Sequence, residues 1–335
     1  MSSKNFYSKK QHLLYLKIKS KIIIFSCLLF CLYFFSNNLI YANNIEQGDA
    51  DYLIPIGNVL QIDAELKTII VRNEIENSPF QVGDAILKVE GQSITNYGEF
   101  SSILYSLPND CNVKLEVNRS GNIVNLSCKK EVLEKINFNN LISGFATLTY
   151  INPENNEFGA VGHPINVGNS RKIPIKNGLI STTTDIKVQK SYKGNVGAIS
   201  ARRNYSIGNF TENTNFGIKG NINNFDVSKL EKYKVASLDE VHLGKAKIIL
   251  QNQSNTCEKY DIEIISIERQ KSPSPKTFKI RITDKDLLIR TGGIVQGMSG
   301  TPIVQGDKII GAVSHAVEND PTLGYGVFIG WMMNN

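Results

Sequence analysis

The chain has 335 residues, a formal net charge of +6 at pH 7 and 41% hydrophobic residues, which leaves room for two domains with sizeable cores. Six lysines lie within residues 1–45, a stretch without aspartate or glutamate, and they account for the whole net charge. The remainder is therefore near neutral and offers no electrostatic footprint for a phosphate backbone. These numbers exclude nucleic acid as a partner.

The N-terminal lysines precede an apolar run over residues 22–35 that only Ser26 interrupts. A positive segment followed by such a run predicts an export signal. Cleavage after Ala42 and an uncleaved anchor through residues 22–41 both remain open. In either case the lysines stay in the cytoplasm and the rest of the chain is exported across, or anchored in, the membrane.

The cysteines suggest no metal site and no cofactor, since no CxxC or Cys/His spacing is present. Cys111 and Cys128 flank two strand-like runs joined by a turn over residues 118–122. Hairpin register about that turn places position 111 opposite 128 or 129. A disulfide and two free thiols are both compatible with this spacing.

Residues 46–131 carry the signature of a small β-rich domain. Gly83-Asp84, an apolar strand and then Glu90-Gly91 resemble the PDZ domain. The resemblance implies a loop whose backbone amides bind a peptide C-terminus, a β-strand or the chain's own N-terminal region. A structural module without a ligand is the alternative. The loop in question contains Pro55, Ile56 and Gly57.

Residues 132–335 contain many short β-branched runs separated by glycine, asparagine and proline. Examples are residues 145–150, 245–250, 260–265 and 277–282. Short strands with turn signals between them predict a sandwich or barrel rather than an α/β fold.

Within this region, Ser299 stands between Met298 and Gly300, with Gly297 before them and Pro302 shortly after. A glycine-framed serine of this kind is how a chymotrypsin-like fold presents its nucleophile. The glycines permit a tight turn in which the amides of Gly297 and Ser299 point at one spot, forming an oxyanion hole.

A serine nucleophile needs a base, and the chain has four histidines. His12 precedes the membrane segment on the cytoplasmic side, and His242 lies in a polar connector. His315 follows the serine on a predicted strand. His163 ends a strand between glycine and proline, a rigid corner suited to placing an imidazole, so it is the predicted base.

Spacing alone does not choose the acid that would orient this base. Asp185 is a fair guess, because an acid between base and nucleophile is common in trypsin-like chains. The other candidates are Asp226, Asp239, Asp261, Asp284 and Asp286.

Residues 292–302, 309–315 and 319–327 resemble the sporulation stage IV B serine peptidases. The resemblance implies an N-terminal membrane signal, one PDZ domain and a C-terminal chymotrypsin-like peptidase domain. It also implies a catalytic triad, with Asp286 remaining as a neighbouring alternative for the acid. The residues that match the family's triad are His163, Asp284 and Ser299. This chain departs from the family pattern at Asn166 and Thr301.

The strand after the nucleophile would pair with an extended substrate through Ser314 and His315. Gly324 and Gly326 would line the side of the specificity pocket, unless they serve only as β-turns. Gly293, six positions before the serine, provides no carboxylate that would select lysine or arginine.

The predicted fold is mainly β: a signal or anchor helix (residues 1–45), a PDZ domain (46–131) and a chymotrypsin-like double β-barrel peptidase domain (132–335). The implied function is a self-cleaving serine endopeptidase without cofactor. It would cut a membrane-associated regulator between forespore and mother cell so that sigma-K becomes active. The alternatives are an envelope quality-control protease and a non-catalytic PDZ scaffold.

Overall fold

The computed structural model describes residues 52–334, apart from 74, 75, 77, 169–171 and 271. The predicted signal or anchor over residues 22–41 lies outside this part of the chain. Within it, no helix combines the length and apolar character needed to cross a membrane.

The described chain is mainly β, which confirms the predicted fold class at that level. Its strands are β1 (Tyr52–Pro55), β2 (Val59–Val71), β3 (Ala85–Val89), β4 (Gln92–Ser93), β5 (Asn112–Arg119), β6 (Asn122–Lys129), β7 (Phe138–Ile151), β8 (Glu157–Ala160), β9 (Ile175–Gln189), β10 (Ala198–Thr214), β11 (Gly217–Ile222), β12 (Tyr233–Val235), β13 (Gly244–Gln251), β14 (Cys257–Ile267), β15 (Phe278–Ile282), β16 (Pro302–Gln305), β17 (Lys308–Ala316) and β18 (Leu323–Phe328). The helices are α1 (Tyr97–Ser106), α2 (Lys130–Leu133), α3 (Lys285–Thr291) and α4 (Ile329–Asn334), with a 3-10 turn at Leu238–Glu240.

Six strands form a first ring whose antiparallel pairings return to their starting point. The order is β7, β2, β9, β10, β11, β8 and again β7. Alternate side chains of these strands point inward, as the period of a strand requires. They form one core that includes Leu60, Leu148, Phe158, Ile180 and Phe210.

A second ring closes in the same way. Its order is β13, β14, β15, β18, β17, β16 and again β13, with every pairing antiparallel. Its core includes Ile248, Ile262, Phe278, Ile280 and Ile303. Strand β1 connects the two rings, because its first residues pair with β12 and its last residues pair with β7.

A third, smaller core belongs to what we call the small module, which comprises the end of β2, strands β3–β6 and helices α1 and α2. Strands β5 and β6 form a hairpin, and β3 pairs with the other edge of β5. Helix α1 begins at its N-cap Asn96, whose side chain accepts from the Glu99 amide, and it buries Phe100 and Leu104. The buried residues that form the core of the module lie between Ile69 and Phe138 in the sequence.

The structure corrects the predicted start of this module. Strand β1 and the first half of β2 were assigned to a domain over residues 46–131, yet their buried side chains Ile54 and Leu60 belong to the core of the first ring. Strand β2 is long enough to contribute to both the first ring and the small module. It pairs with β9 along its first half, with β7 along its first half and again at Ile70 and Val71, and with β3 only at Ile70.

The loop predicted to bind a peptide, Pro55–Gly57, has its backbone amides paired with β7. The amides of Ile56 and Gly57 already donate to the carbonyls of Thr149 and Leu148, at 3.1 and 2.9 Å. Pro55 pairs with Tyr150 on β7. Since Ile56 is 4% exposed, this loop has neither free amides nor access for a peptide.

Cys111 and Cys128 are free thiols, which settles the alternative left open by their spacing. Cys128 lies opposite Val113 in the β5–β6 ladder, and Cys111 lies just outside that ladder.

Candidate active site

His163 is presented by a strained turn at the end of β8. Val161 and Gly162 both have left-handed backbones, with φ of 80° and 76°. A β-branched residue in this region costs on the order of 1–3 kcal/mol, so the surrounding contacts must hold it there. A Cβ on Gly162 would lie 2.9 Å from the carbonyl oxygen of Val313, which shows how closely the turn approaches β17. The predicted rigid corner is therefore present.

Ser299 lies in the loop before β16, framed by glycines at φ 99° (Gly297) and 93° (Gly300). A Cβ on Gly300 would collide with the carbonyl oxygen of Thr147 and the amide of Val161. This glycine is therefore needed for close approach between the nucleophile loop and the two strands that precede His163.

Two buried threonines of β7 fix this loop, and sequence reasoning missed both. Thr147 donates from its amide to the Ser299 carbonyl and from its hydroxyl to the Gly297 carbonyl, each at 2.8 Å. The hydroxyl of Thr149 donates to the Gly300 carbonyl at 2.7 Å. Both residues are 0% exposed. The available signal was a pair of threonines alternating with apolar residues, since a hydroxyl that faces a core needs a partner.

The predicted nucleophile and the predicted base are in contact. Nε2 of His163 lies 3.1 Å from Oγ of Ser299, and Nδ1 lies 2.9 Å from the carbonyl oxygen of Pro164. Because a carbonyl only accepts, we assign the ring proton to Nδ1, so that Nε2 accepts from the serine hydroxyl. Burial lowers the pKa of His163 from its usual 6.5, although the Pro164 carbonyl opposes this shift. The imidazole is therefore neutral at pH 7, as a base must be.

Two backbone amides of the loop that carries Ser299 are the ones predicted to form an oxyanion hole. In this loop the amide of Met298 donates to the Val295 carbonyl, and that of Gly300 donates to the Val313 carbonyl. The amides of Gly297 and Ser299 have no acceptor among the described residues. Two free amides beside a nucleophile can stabilise an oxyanion.

The profile of the family described as SpoIVB peptidase S55 matches residues 136–333, which is more than half of the chain. This chain belongs to the SpoIVB peptidase S55 family. It is therefore a serine peptidase of a sporulation family, and the suspected relationship is confirmed. A search of curated proteins finds no match to the chain.

Among the described residues, no hydrogen bond of the His163 ring involves the aspartate predicted for a triad. Asp284 is the N-cap of α3, where its carboxylate accepts from the amides of Leu287 and Asp261 at 2.9 and 3.3 Å. Asp286 lies in the first turn of the same helix. Asp185 is exposed and pairs with Arg202 at 2.9 Å. The hydrogen-bond acceptor at Nδ1 of His163 is instead the backbone carbonyl of Pro164.

The two predicted substrate-strand residues both lie beside the dyad. The carbonyl oxygen of Ser314 lies 3.4 Å from Oγ of Ser299, as an alternative acceptor for its one proton, and the buried Ser314 hydroxyl donates to the Pro275 carbonyl at 2.6 Å. The ring of His315 lies 5.3 Å from that of His163, centre to centre. Burial, with smaller effects from His163 and Lys276, lowers the pKa of His315 to about 4. His315 is therefore a second neutral imidazole next to the base.

The two predicted pocket glycines do not line open space. A Cβ on Gly324 would collide with the side chain of Ile294, and one on Gly326 would lie 2.8 Å from that of Ile303. Both isoleucines are buried. These glycines therefore make room for core side chains, because β18 packs directly against them.

Asn213 holds the loop that follows the base, and sequence reasoning also missed it. Its Oδ1 accepts from the Ile165 amide at 2.8 Å, and its Nδ2 donates to the carbonyls of Ile165 and Ile173 at 2.8 and 2.9 Å. Three hydrogen bonds from one side chain thus fix the backbone two residues beyond His163.

Proposed function

We propose that this peptidase is an exported, self-cleaving endopeptidase that uses His163 and Ser299 as a catalytic dyad. The contact of 3.1 Å between base and nucleophile, next to two free amides, is the observation that carries the proposal. The carbonyl of Pro164 takes the place of a triad carboxylate, since it accepts the Nδ1 proton and fixes the tautomer.

In the first step, Oγ of Ser299 attacks the scissile carbonyl carbon while Nε2 of His163 takes the hydroxyl proton. The negative charge that develops on the carbonyl oxygen is stabilised by the amides of Gly297 and Ser299. The imidazolium then gives its proton to the leaving amine, and the acyl group stays on the serine. Water then attacks the acyl group while Nε2 of His163 takes its proton, and His163 returns a proton to Oγ of Ser299. These steps release the carboxylic acid and restore the free hydroxyl.

The architecture proposed for this chemistry is a chymotrypsin-like double β-barrel preceded by a PDZ-like module. Support comes from the two closed rings of six strands, of which the first carries His163 and the second carries Ser299. The small module supports the second part, with a β-hairpin, an additional strand and a packed helix around its own core. Its ligand would be a peptide or the chain's own N-terminal region, bound elsewhere than at Pro55–Gly57.

The proposed role is in endospore formation. The enzyme would act between forespore and mother cell and cut a membrane-associated regulator, so that sigma-K becomes active. The family membership supports the sporulation role, and the charged and apolar N-terminal sequence supports export.

The test replaces the chain in a spore-forming host by full-length Ser299→Ala or His163→Ala. Both variants should accumulate unprocessed and block sigma-K-dependent transcription, while the wild-type chain is shortened. Adding wild-type enzyme to purified Ser299→Ala protein should restore processing if cleavage occurs between molecules. Normal shortening and transcription with Ser299→Ala would contradict the proposal.

A further inference from the structure

A cavity of about 640 Å³ opens beside the catalytic dyad. Ser299, His163 and Gly297 lie at one end of it, and apolar side chains form much of its wall. Three of these are Phe145, Val161 and Ile165. The predicted substrate-binding residues of β17 and β18 are absent from the residues lining this cavity. It is therefore a site separate from that strand.

In a chymotrypsin-like arrangement, this cavity would receive the part of the substrate that leaves as the amine. In a chymotrypsin-like arrangement the acyl side of the substrate pairs with the strand after the nucleophile, which contains Ser314 here. Gln296 and Gly297, together with residues 142–146 of β7, form the opposite side. The substrate residues that follow the scissile bond would therefore enter the cavity.

Strand β7 offers this segment a free edge. The amide and carbonyl of Thr147 point away from β2, because they pair with Ser299 and Val161. Residues two apart on a strand face the same edge, so Phe145 and Ser143 present their backbone groups in the same direction. Strand β8 pairs with β7 only from Leu148 onward, which leaves that edge open among the described strands.

The small module supplies the far wall of the cavity through Arg72 and Val82. Contact between the module and the catalytic loop is close, since a Cβ on Gly168 would lie 2.5 Å from the Val82 carbonyl oxygen. Gly168 lies five residues after His163. The small module therefore lines the same cavity as His163 and Ser299.

Arg72 gives the cavity its charge. Apart from the neutral His163, it is the one ionisable side chain among the described residues that line the cavity. Its guanidinium is exposed and has no acidic partner in the described part of the chain. An arginine that has no acidic partner among the described residues and lies at the rim of an apolar cavity is suited to a carboxylate.

We propose that this cavity selects substrates with an apolar residue directly after the scissile bond and a carboxylate on the next residue, which Arg72 binds. The inference rests on the proposed peptidase function of Ser299. The segment adds to the free edge of β7 at Ser143 and Phe145, and its apolar side chain enters the cavity.

Acyl transfer tests this preference without knowledge of the natural substrate. The full chain is acylated at Ser299 with p-nitrophenyl acetate, which releases p-nitrophenol, and dipeptide amides then compete with water for the acetyl group. Attack by the dipeptide's amino group forms an N-acetyl amide bond and returns the proton to Oγ of Ser299. Leu-Glu amide should yield about fivefold more product than Leu-Lys amide, and about tenfold more than Gly-Glu amide.

The deciding variant is Arg72→Glu, which should invert the preference between the Glu and Lys dipeptides. Lys135→Glu makes the same change of charge on an exposed site of the small module outside the cavity, and should preserve the wild-type preference. Equal capture of the Glu and Lys dipeptides by the wild type, or a preference that Arg72→Glu leaves unchanged, would overturn the inference. Ester turnover that persists in Ser299→Ala would instead refute the proposed function itself.

Discussion

Oγ of Ser299 lies 3.1 Å from Nε2 of His163, and the two side chains come from different rings of strands. Their contact depends on how β7, in the first ring, is joined to the nucleophile loop of the second. Thr147 makes two of these connections and Thr149 makes a third. The junction is buried, so its hydrogen bonds are protected from competition with water.

Thr147→Val tests this junction. The change leaves the Gly297 carbonyl without its buried donor, which should cost about 1–3 kcal/mol of unfolding free energy. It should also lower kcat more than it raises KM, because the Gly297 amide is no longer held where the oxyanion forms. Denaturant unfolding and steady-state kinetics measure the two effects.

Thr183→Val is the matched control, since Thr183 is also buried and donates to the Val59 carbonyl at 2.7 Å rather than to the loop that carries Ser299. It should lose similar stability and keep kcat. If both variants lost kcat to the same extent, Thr147 would have only a structural role.

Asp284 caps a helix in this structure, and substitutions distinguish this role from that of a catalytic acid. Asp284→Asn keeps a capping oxygen and should retain kcat within about twofold, whereas Asp284→Ala should cost about 1 kcal/mol of stability. Catalysis and thermal unfolding are measured on both. A folded Asp284→Asn enzyme with kcat reduced by about 10⁴ would instead show that this carboxylate acts as a triad member.

Asn213 should act as a positioning residue. Asn213→Ala removes three hydrogen bonds from the loop after His163 and should lower kcat, with a smaller change in KM. Asn213→Asp keeps the acceptor for the Ile165 amide and should recover part of the loss. Equal kcat for the alanine variant and the wild type would exclude this role.

The pH profile should follow His163. A base must be neutral, and burial lowers the pKa of this imidazole, so activity should persist to lower pH than an exposed histidine allows. The acid limb of kcat/KM should therefore have its midpoint below pH 6.5. His242→Gln, at a histidine far along the chain, should leave the midpoint unchanged. A midpoint above 6.5 would contradict the assigned environment.

The sequence was sufficient to predict the strand-rich fold and to single out Ser299 and His163, which the structure places in contact, because glycine and proline around both residues restrict the backbone locally. It was insufficient for Thr147 and Asn213, whose partners lie 150 and 48 residues away. The acid was assigned by resemblance, and no local pattern distinguishes a catalytic Asp284 from one that caps a helix. The boundary of the small module was misplaced because β2 is one continuous strand shared by two cores.

Active-site labelling is the direct test of whether His163 activates Ser299. The wild-type full chain is incubated with a fluorophosphonate, and the modified residue is located by mass spectrometry. We expect one adduct, at Oγ of Ser299, formed with loss of fluoride. It should be absent in Ser299→Ala and slowed by orders of magnitude in His163→Ala. An adduct on another serine, or labelling of His163→Ala at the wild-type rate, would contradict this expectation.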